Sequence, residues 1–288
     1  MSPHQATSQR NQQAHPVRAD TSLVAIVPSY RIPPSALSLI EKLSRTCTTL
    51  VVDDGSPCTA DPVLLEASDL GARVVRLPKR QGIARSLNLG LSLSRQVGAS
   101  WLLTLDQDTV MADGHVDHFM KFLHAFPQQR SMIGALGAAR INVGGHEMNL
   151  IRNSCREMLD VPELLQSGTF WNVMAMTELG GFSTTLGMDA IDAEACLRLR
   201  ESGYRVVALD SLELLHEIGD TQVRRILGRE VHATRHSPGR LNAIVINRFR
   251  LFHREFRKSP PHAVRTVRRA LVNYLLSSAD QLRNRPKT

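Results

Sequence analysis

The stretch "SWLLTLDQDTVM", residues 100–111, is an apolar run that ends in two carboxylates, Asp106 and Asp108. Its meaning depends on what precedes it. Three other apolar runs come first: Leu23–Val27 in "TSLVAIVPSY", then "TLVVDDGSP" (49–57) and "ARVVRLP" (72–78). Between the first two, "PPSALSLIEKLSRT" places Leu37, Ile40 and Leu43 at helical spacing after a proline start. Before the fourth, "GIARSLNLGLSLSRQVG" does the same with Ile83, Leu87 and Leu91. Short strands alternating with helices predict an α/β fold, a mostly parallel sheet covered on both faces. Ligands of such sheets sit outside the carboxyl ends of the strands. Asp53, Asp54, Asp106 and Asp108 all fall at strand ends and make that edge an acidic rim.

Further along, a helix is expected in "GHVDHFMKFLHAF" (114–126) and a strand near "MIGALGAAR" (132–140). The segment "QSGTFWNVMAMTELGGF" (166–182) reads as a loop. In "DAIDAEACLRLRESGYRVVAL" (189–209) a helix ended by Gly203 leads into a strand. Asp189, Asp192 and Glu194 precede or occupy its first turn, where carboxylates cap a helix and suit its dipole. Beyond Gly219, two amphipathic helices break at Pro260-Pro261, with Ile244, Phe249, Leu251, Phe252 and Phe256 placed to bury against the main domain. The organisation expected is a disordered polar tail (1–20), one α/β domain (21–220) and a basic amphipathic helical extension (221–288).

With 288 residues and 42% apolar composition the chain can build a real core. Cys47, Cys58, Cys155 and Cys196 are scattered without the spacing of a zinc site and read as reduced thiols. The net charge of +8 is unevenly placed: residues 235–288 hold 13 Lys/Arg against Glu255 and Asp280, a balance of +11 that leaves −3 for the rest. A basic segment on a slightly acidic body suits anionic lipid headgroups at least as well as nucleic acid; nucleic acid is not adopted as the partner. No basic-then-apolar leader and no apolar run of about 20 residues is visible, so a cytoplasmic protein, peripheral at the inner membrane face, is expected.

Two carboxylates two residues apart can hold a hard divalent cation that bridges to substrate phosphates. "DQDTV" also fits the D-x-D-x-[T/V] pattern of haloacid-dehalogenase-like phosphatases, with Asp106 as nucleophile and Asp108 as acid/base. That motif belongs to the first strand of its fold, whereas three strands precede it here. A third alternative is a non-catalytic protein binding membrane or nucleic acid through its basic segment. A dinucleotide site fails, because "PSYRIPP" lacks the glycines that let a backbone approach a pyrophosphate.

The ordered set "VAIVPSY", "LVVDDGS", "GIARSLNLG", "LLTLDQDT", "IDAEACLRLRESGY" and "HEIGD" resembles inverting glycosyltransferase family 2, with the GT-A fold. "RQGIARSLNLG", "LTLDQDT" and "HEIGD" look most like bacterial dTDP-rhamnose-dependent rhamnosyltransferases. The resemblance covers roughly residues 22–255 and makes 21–220 the catalytic domain. It implies that Asp53 or Asp54 accepts from the pyrimidine ring N3–H, that Gly82 and Asn88 lie on the donor site, and that Asp108, with Asp106, holds Mg²⁺ or Mn²⁺. Asp106 is placed nearer the nucleotide sugar. Asp192 matches the general base, Glu194 the neighbouring acidic position, and His216 a histidine that ligates the metal or touches the diphosphate. The partners implied are a dTDP- or UDP-sugar donor and a glycan or lipid-linked acceptor. Trp171 stacks on a sugar or is core. Departures from the family pattern are Lys79 and Arg80, read as facing solvent rather than the diphosphate, "LGMDA" before Asp192, and "VINRF" in the C-terminal helix.

Overall fold

Alternating residues of the first strand feed two separate cores, and this divides the molecule into layers. The computed structural model describes residues 23–143, 146–149, 157–187, 189–216, 221–226, 229–234 and 237–283. The expected tail, Cys155, and "EIGD" after His216 lie outside the described residues. In chain order the elements are β1 (Leu23–Ser29), α1 (Ala36–Thr46), β2 (Thr48–Asp53), α2 (Asp61–Asp69), β3 (Arg73–Arg76), α3 (Ile83–Gln96), β4 (Trp101–Thr104), β5 (Thr109–Met111) and α4 (His115–Ala125). There follow β6 (Ile133–Val143), β7 (His146–Asn149), β8 (Met158–Asp160), β9 (Thr169–Asn172), α5 (Val173–Glu178), α6 (Ile191–Glu201), β10 (Arg205–His216), β11 (Thr221–Ile226), β12 (Arg229–Thr234), α7 (Pro238–Lys258) and α8 (Pro260–Arg283).

The main sheet runs β3-β2-β1-β4-β9-β6-β10-β5, with β7 on β6 and β8 on β10. Its first four strands are parallel, the geometry predicted for the β-α-β repeats. The sheet as a whole is mixed, because β9 enters antiparallel to both β4 and β6, and β5 closes the far edge antiparallel to β10. Side chains alternate across a strand. Ala25 and Val27 therefore join Leu39, Leu64 and Phe119 of α1, α2 and α4 on one face. Val24 and Ile26 join Leu87, Met176 and Leu199 of α3, α5 and α6 on the other. Phe119 stacks on Phe170 with ring centroids 3.7 Å apart, so β9 is packed from the moment it inserts.

The C-terminal region differs from its expected form in two respects. Residues Thr221–Thr234 form the hairpin β11–β12, and helix begins only at Pro238. Leu251 is buried against Ala193 and Leu197 as expected, but Phe249 and Phe256 are 53% and 44% exposed. What α7 buries instead is polar: Asn247 and Glu255. The physical reason is that α6 offers arginines rather than an apolar stripe, and Arg200 donates to both carboxylate oxygens of Glu255 at 2.6 and 2.7 Å. Cys47, Cys58 and Cys196 are free thiols. Among the described residues no helix is long and apolar enough to cross a membrane.

His115, at the start of α4, lies stacked against Phe170 with Nδ1 3.2 Å from the Glu213 carbonyl oxygen. Burial pushes its pKa down from 6.5 to about 4, outweighing the backbone hydrogen bonds that favour the charged ring. The unfolded chain thus binds a proton on His115 between those values and the folded chain does not, so stability is lost as pH falls from 6.5 towards 4. The loss is on the order of 3 kcal/mol. Urea denaturation at pH 7 and pH 4.5 should show a smaller acid penalty in His115→Gln than in the native chain. Equal penalties would refute the assignment.

Candidate active site

The carboxyl ends of β1, β2 and β4 lie side by side, and each carries polar residues. Asp53 ends β2 fully buried; it accepts from the Ser56 amide at 3.1 Å and from the Ser56 hydroxyl, and lies 3.2 Å from Arg76 Nε. Asp54 accepts from the amides of Gln81 at 2.6 Å and Gly82 at 3.0 Å, holding the entry to α3. Both aspartates thus shape the rim; a carboxylate has about four acceptor positions, so each keeps capacity for a further donor. Gly55, between them and Ser56, has φ +72°, and a Cβ there would lie 2.6 Å from the Lys79 carbonyl carbon. Only glycine allows the 79–82 segment to approach this closely.

At the end of β1, Tyr30 is clamped by Gln107. Its amide donates to Gln107 Oε1 at 3.1 Å, and Gln107 Nε2 donates to its carbonyl at 3.2 Å. The residue between the two aspartates therefore ties their loop to β1. Arg80, expected to face solvent, is exposed but lies with its guanidinium 4.2 Å from the centre of the Tyr30 ring. This is a cation–π contact.

The loop before β9 brings the remaining parts together. The Gln166 amide donates to Asp192 Oδ2 at 3.3 Å, and the next residue, Ser167, accepts from the Asp106 amide at 2.9 Å. Ser167 Oγ also lies 2.6 Å from the Thr109 hydroxyl. Asp192, in the first turn of α6, takes a second hydrogen bond from the Ala193 amide at 2.8 Å, so it serves the helix start as well as the rim. The backbone of Asp106 and the carboxylate of Asp192, 86 positions apart in sequence, are thus held by adjacent residues.

Burial pushes Asp106 up from 3.8 to about 7, helped by the charges of Asp108 and Asp192 and opposed by Arg240. Asp192 is raised by burial and by the charge of Glu163, with Arg248 and the two amides opposing. Among the described residues no side chain donates a hydrogen bond to the carboxylates of Asp106 or Asp108. Two neighbouring carboxylates without such a donor fit a cation. No group of three His, Cys, Asp or Glu meets around one point among the described residues. The donor set suits a hard ion held by one or two carboxylates and completed by water and substrate phosphate, as is usual for Mg²⁺.

Of the other residues singled out in the sequence, His216 is placed by its backbone at the end of β10, in register with Thr109 beside the aspartate loop. Gly82 caps α3 with φ +88°. Asn88 pairs with the backbone of Phe182 through both its amide groups, at 2.9 and 2.8 Å, and staples α3 to that loop. Trp171 is fully buried, with Nε1 donating to Thr104 Oγ1 at 2.9 Å. A ring without exposed surface offers no face to a sugar, so Trp171 is core. Glu194 is buried and engaged by Arg198 at 2.8 Å and Arg254 at 3.6 Å, which occupies it inside the helix packing rather than at the rim. Gln107, Gln166, Ser167 and Arg240 escaped sequence reasoning. The one signal for them was position: Gln107 inside the D-x-D and "QS" at the opening of a Gly-bearing loop.

The architecture, a mixed sheet flanked by helices with a helical C-terminal region, is an α/β fold of the GT-A type. Crystal structures of TarS from S. aureus share it: one aligns with TM-score 0.50 at 17% identity, over 68% of this chain and 36% of that one. The 1–349 portion in complex with UDP-GlcNAc aligns at 0.52 with 15% identity, over 86% of this chain and 71% of that one. Residues 24–132 match the family model "Glycosyl transferase family 2". The chain thus resembles that family over those residues and is a glycosyltransferase. It is 24% identical over 249 residues to the dTDP-rhamnosyl transferase RfbF of Shigella flexneri, spanning 82% of this chain and 81% of that protein.

Gly55→Ala should destabilise the protein by roughly 2–4 kcal/mol, since it adds left-handed strain to a backbone collision. Urea denaturation measures this; a loss under about 0.5 kcal/mol would show that the 79–82 segment does not need glycine here.

Proposed function

We propose that the protein transfers a hexosyl group, L-rhamnose from dTDP-L-rhamnose, with inversion, onto a hydroxyl of a cell-envelope glycan or glycolipid. The observation that carries this reading is the pairing of Asp106 and Asp192 through Gln166 and Ser167. Adjacent residues hold the backbone of the Asp106 loop and the Asp192 carboxylate, which keeps acceptor positions beyond its two amide partners. The choice of dTDP-rhamnose is supported by the likeness to the Shigella enzyme.

In this reading Asp53 or Asp54 receives the pyrimidine N3–H, and Asp106 and Asp108 would hold Mg²⁺ or Mn²⁺, with His216 as a further ligand or diphosphate contact. The metal, when bound, supplies Lewis-acid stabilisation to the departing diphosphate. Asp192 takes the proton of the acceptor hydroxyl while that oxygen bonds to the anomeric carbon. The bond from that carbon to the diphosphate oxygen breaks, and its electron pair leaves with dTDP. Burial and the nearby Glu163 make Asp192 a stronger proton acceptor than an ordinary aspartate. A single displacement inverts the anomeric centre and needs no covalent intermediate.

The basic α7–α8 pair, with Phe249, Phe256 and Leu275 exposed among its arginines, supports peripheral contact with the inner face of an anionic membrane, where a lipid-linked acceptor would lie. The phosphatase alternative gains nothing from the structure: the D-x-D follows the fourth strand of a glycosyl transferase domain.

Asp192→Asn should lower dTDP release from dTDP-L-rhamnose by about 10²- to 10⁴-fold while leaving dTDP binding within a few-fold. Coupled detection of dTDP, with calorimetry for binding, measures both. A folded Asp192→Asn protein with near-native turnover would remove Asp192 from the base role.

A further inference from the structure

The C-terminal helix α7 reaches the base through contacts that its packing does not require. Asn247 is 3% exposed, and its Nδ2 donates to two carbonyls, Leu186 at 2.7 Å and Asp189 at 3.0 Å. These flank the turn that delivers the chain to α6. The next residue, Ala190, is the helix N-cap, lies in the left-handed region at φ +67° and has no capping side chain. A non-glycine residue holds that conformation only where its surroundings impose it. Asp192 follows two residues later, so the direction of its side chain depends on this turn.

The neighbour of Asn247 acts on the same place from another side. Arg248 Nη1 lies 2.7 Å from Glu163 Oε2, and His262 of α8 lies 3.4 Å from the same oxygen. Glu163 opens the loop whose Gln166 amide binds Asp192. Arg240, from the first turn of α7, pairs with Asp189 at 3.3 Å. Three side chains of α7 therefore fix both segments that hold the carboxylate: the turn before it and the loop across from it.

We propose that Asn247 and Arg248 are positioning residues for Asp192, Asn247 by fixing the backbone at Leu186 and Asp189 and Arg248 by anchoring Glu163 and the 163–167 loop, so that α7 is a working part of the active site. The proposal rests on the reading of Asp192 as general base. It explains why α7 buries an asparagine where an apolar residue would pack more simply. The effect expected belongs to turnover rather than to donor binding, because the Asp106–Asp108 loop is also held from β1, through the Gln107–Tyr30 pair that α7 does not touch.

The test uses the full chain with dTDP-L-rhamnose and Mn²⁺, following dTDP release, and calorimetry with dTDP. Asn247→Leu and Arg248→Gln should each lower kcat about 10- to 100-fold, with KM and the dTDP dissociation constant moving less than about threefold. Arg248→Lys, which keeps the charge beside Glu163, should recover most of the loss. Near-native kcat in both variants, beside an inactive Asp192→Asn, would overturn the positioning role while leaving the base in place. Parallel losses of kcat and dTDP affinity would overturn it too, as the mark of general structural damage. If Asn247→Leu does not fold, the Arg248→Gln and Arg248→Lys pair decides the matter by the same criteria. An active Asp192→Asn would instead defeat the base reading itself.

Discussion

Everything at the rim depends on one short piece of backbone, the Gln166-Ser167 step. The amide of Gln166 holds Asp192, and the hydroxyl of Ser167 holds the amide of Asp106. Because the two residues are adjacent, the loop after β4 and the start of α6 are brought into one neighbourhood; desolvation there, with the charges of Asp108 and then Asp192 adding to it, raises the pKa of Asp106 to about 7. Like charges in a desolvated place are costly unless something neutralises them. A glycosyltransferase working on a diphosphate donor has a use for that cost, since a cation brought with the substrate relieves it.

The same logic orders the surroundings. Glu163 is raised by burial, but the hydrogen bond from His262 and the charge of Arg248 outweigh that and hold it down at about 2. It is thus an ionised neighbour that makes Asp192 more basic, while Arg248 keeps the rise in check. The helices α7 and α8 supply both partners of Glu163. The C-terminal extension, basic and amphipathic in sequence, is joined to α6 by Arg200–Glu255 and Arg254–Glu201, and by Leu251 in a small apolar contact. The buried face of α7 combines Leu241 and Leu251 with Asn247 and Glu255, the last paired with Arg200 of α6.

The half of the fold that follows local rules was readable from the sequence. The strand end at Asp53, the strand that leads to Asp106, the helices over Ala36–Thr46 and Ile83–Gln96, and the break before Pro260 all follow from periodicity and proline. What escaped depends on partners far away in the chain. The four residues of β9 sit in a Gly/Thr-bearing stretch that looks like a loop, and they become a strand only because β4 and β6 leave a gap between them. The hairpin at Thr221–Thr234 lies on charged sequence that reads equally as helix. In the site, the aspartates were legible by type and order. The fates of Trp171 and Glu194 were not, because a core tryptophan and a stacking one share one letter, and an arginine four residues away can claim a carboxylate. Gln166 acts through its backbone amide, which no side-chain pattern records.

The central claim is that the acidic rim is a metal-dependent pyrimidine-nucleotide site. A ligand that binds only the folded state must raise its melting temperature. The direct measurement is therefore thermal unfolding with dTDP, UDP, ADP and GDP, each with and without Mn²⁺, on the native chain and on Asp108→Ala. The account predicts a rise with dTDP or UDP that needs Mn²⁺ and is lost in Asp108→Ala. No response to either pyrimidine nucleotide, or an equal response in Asp108→Ala, would contradict it.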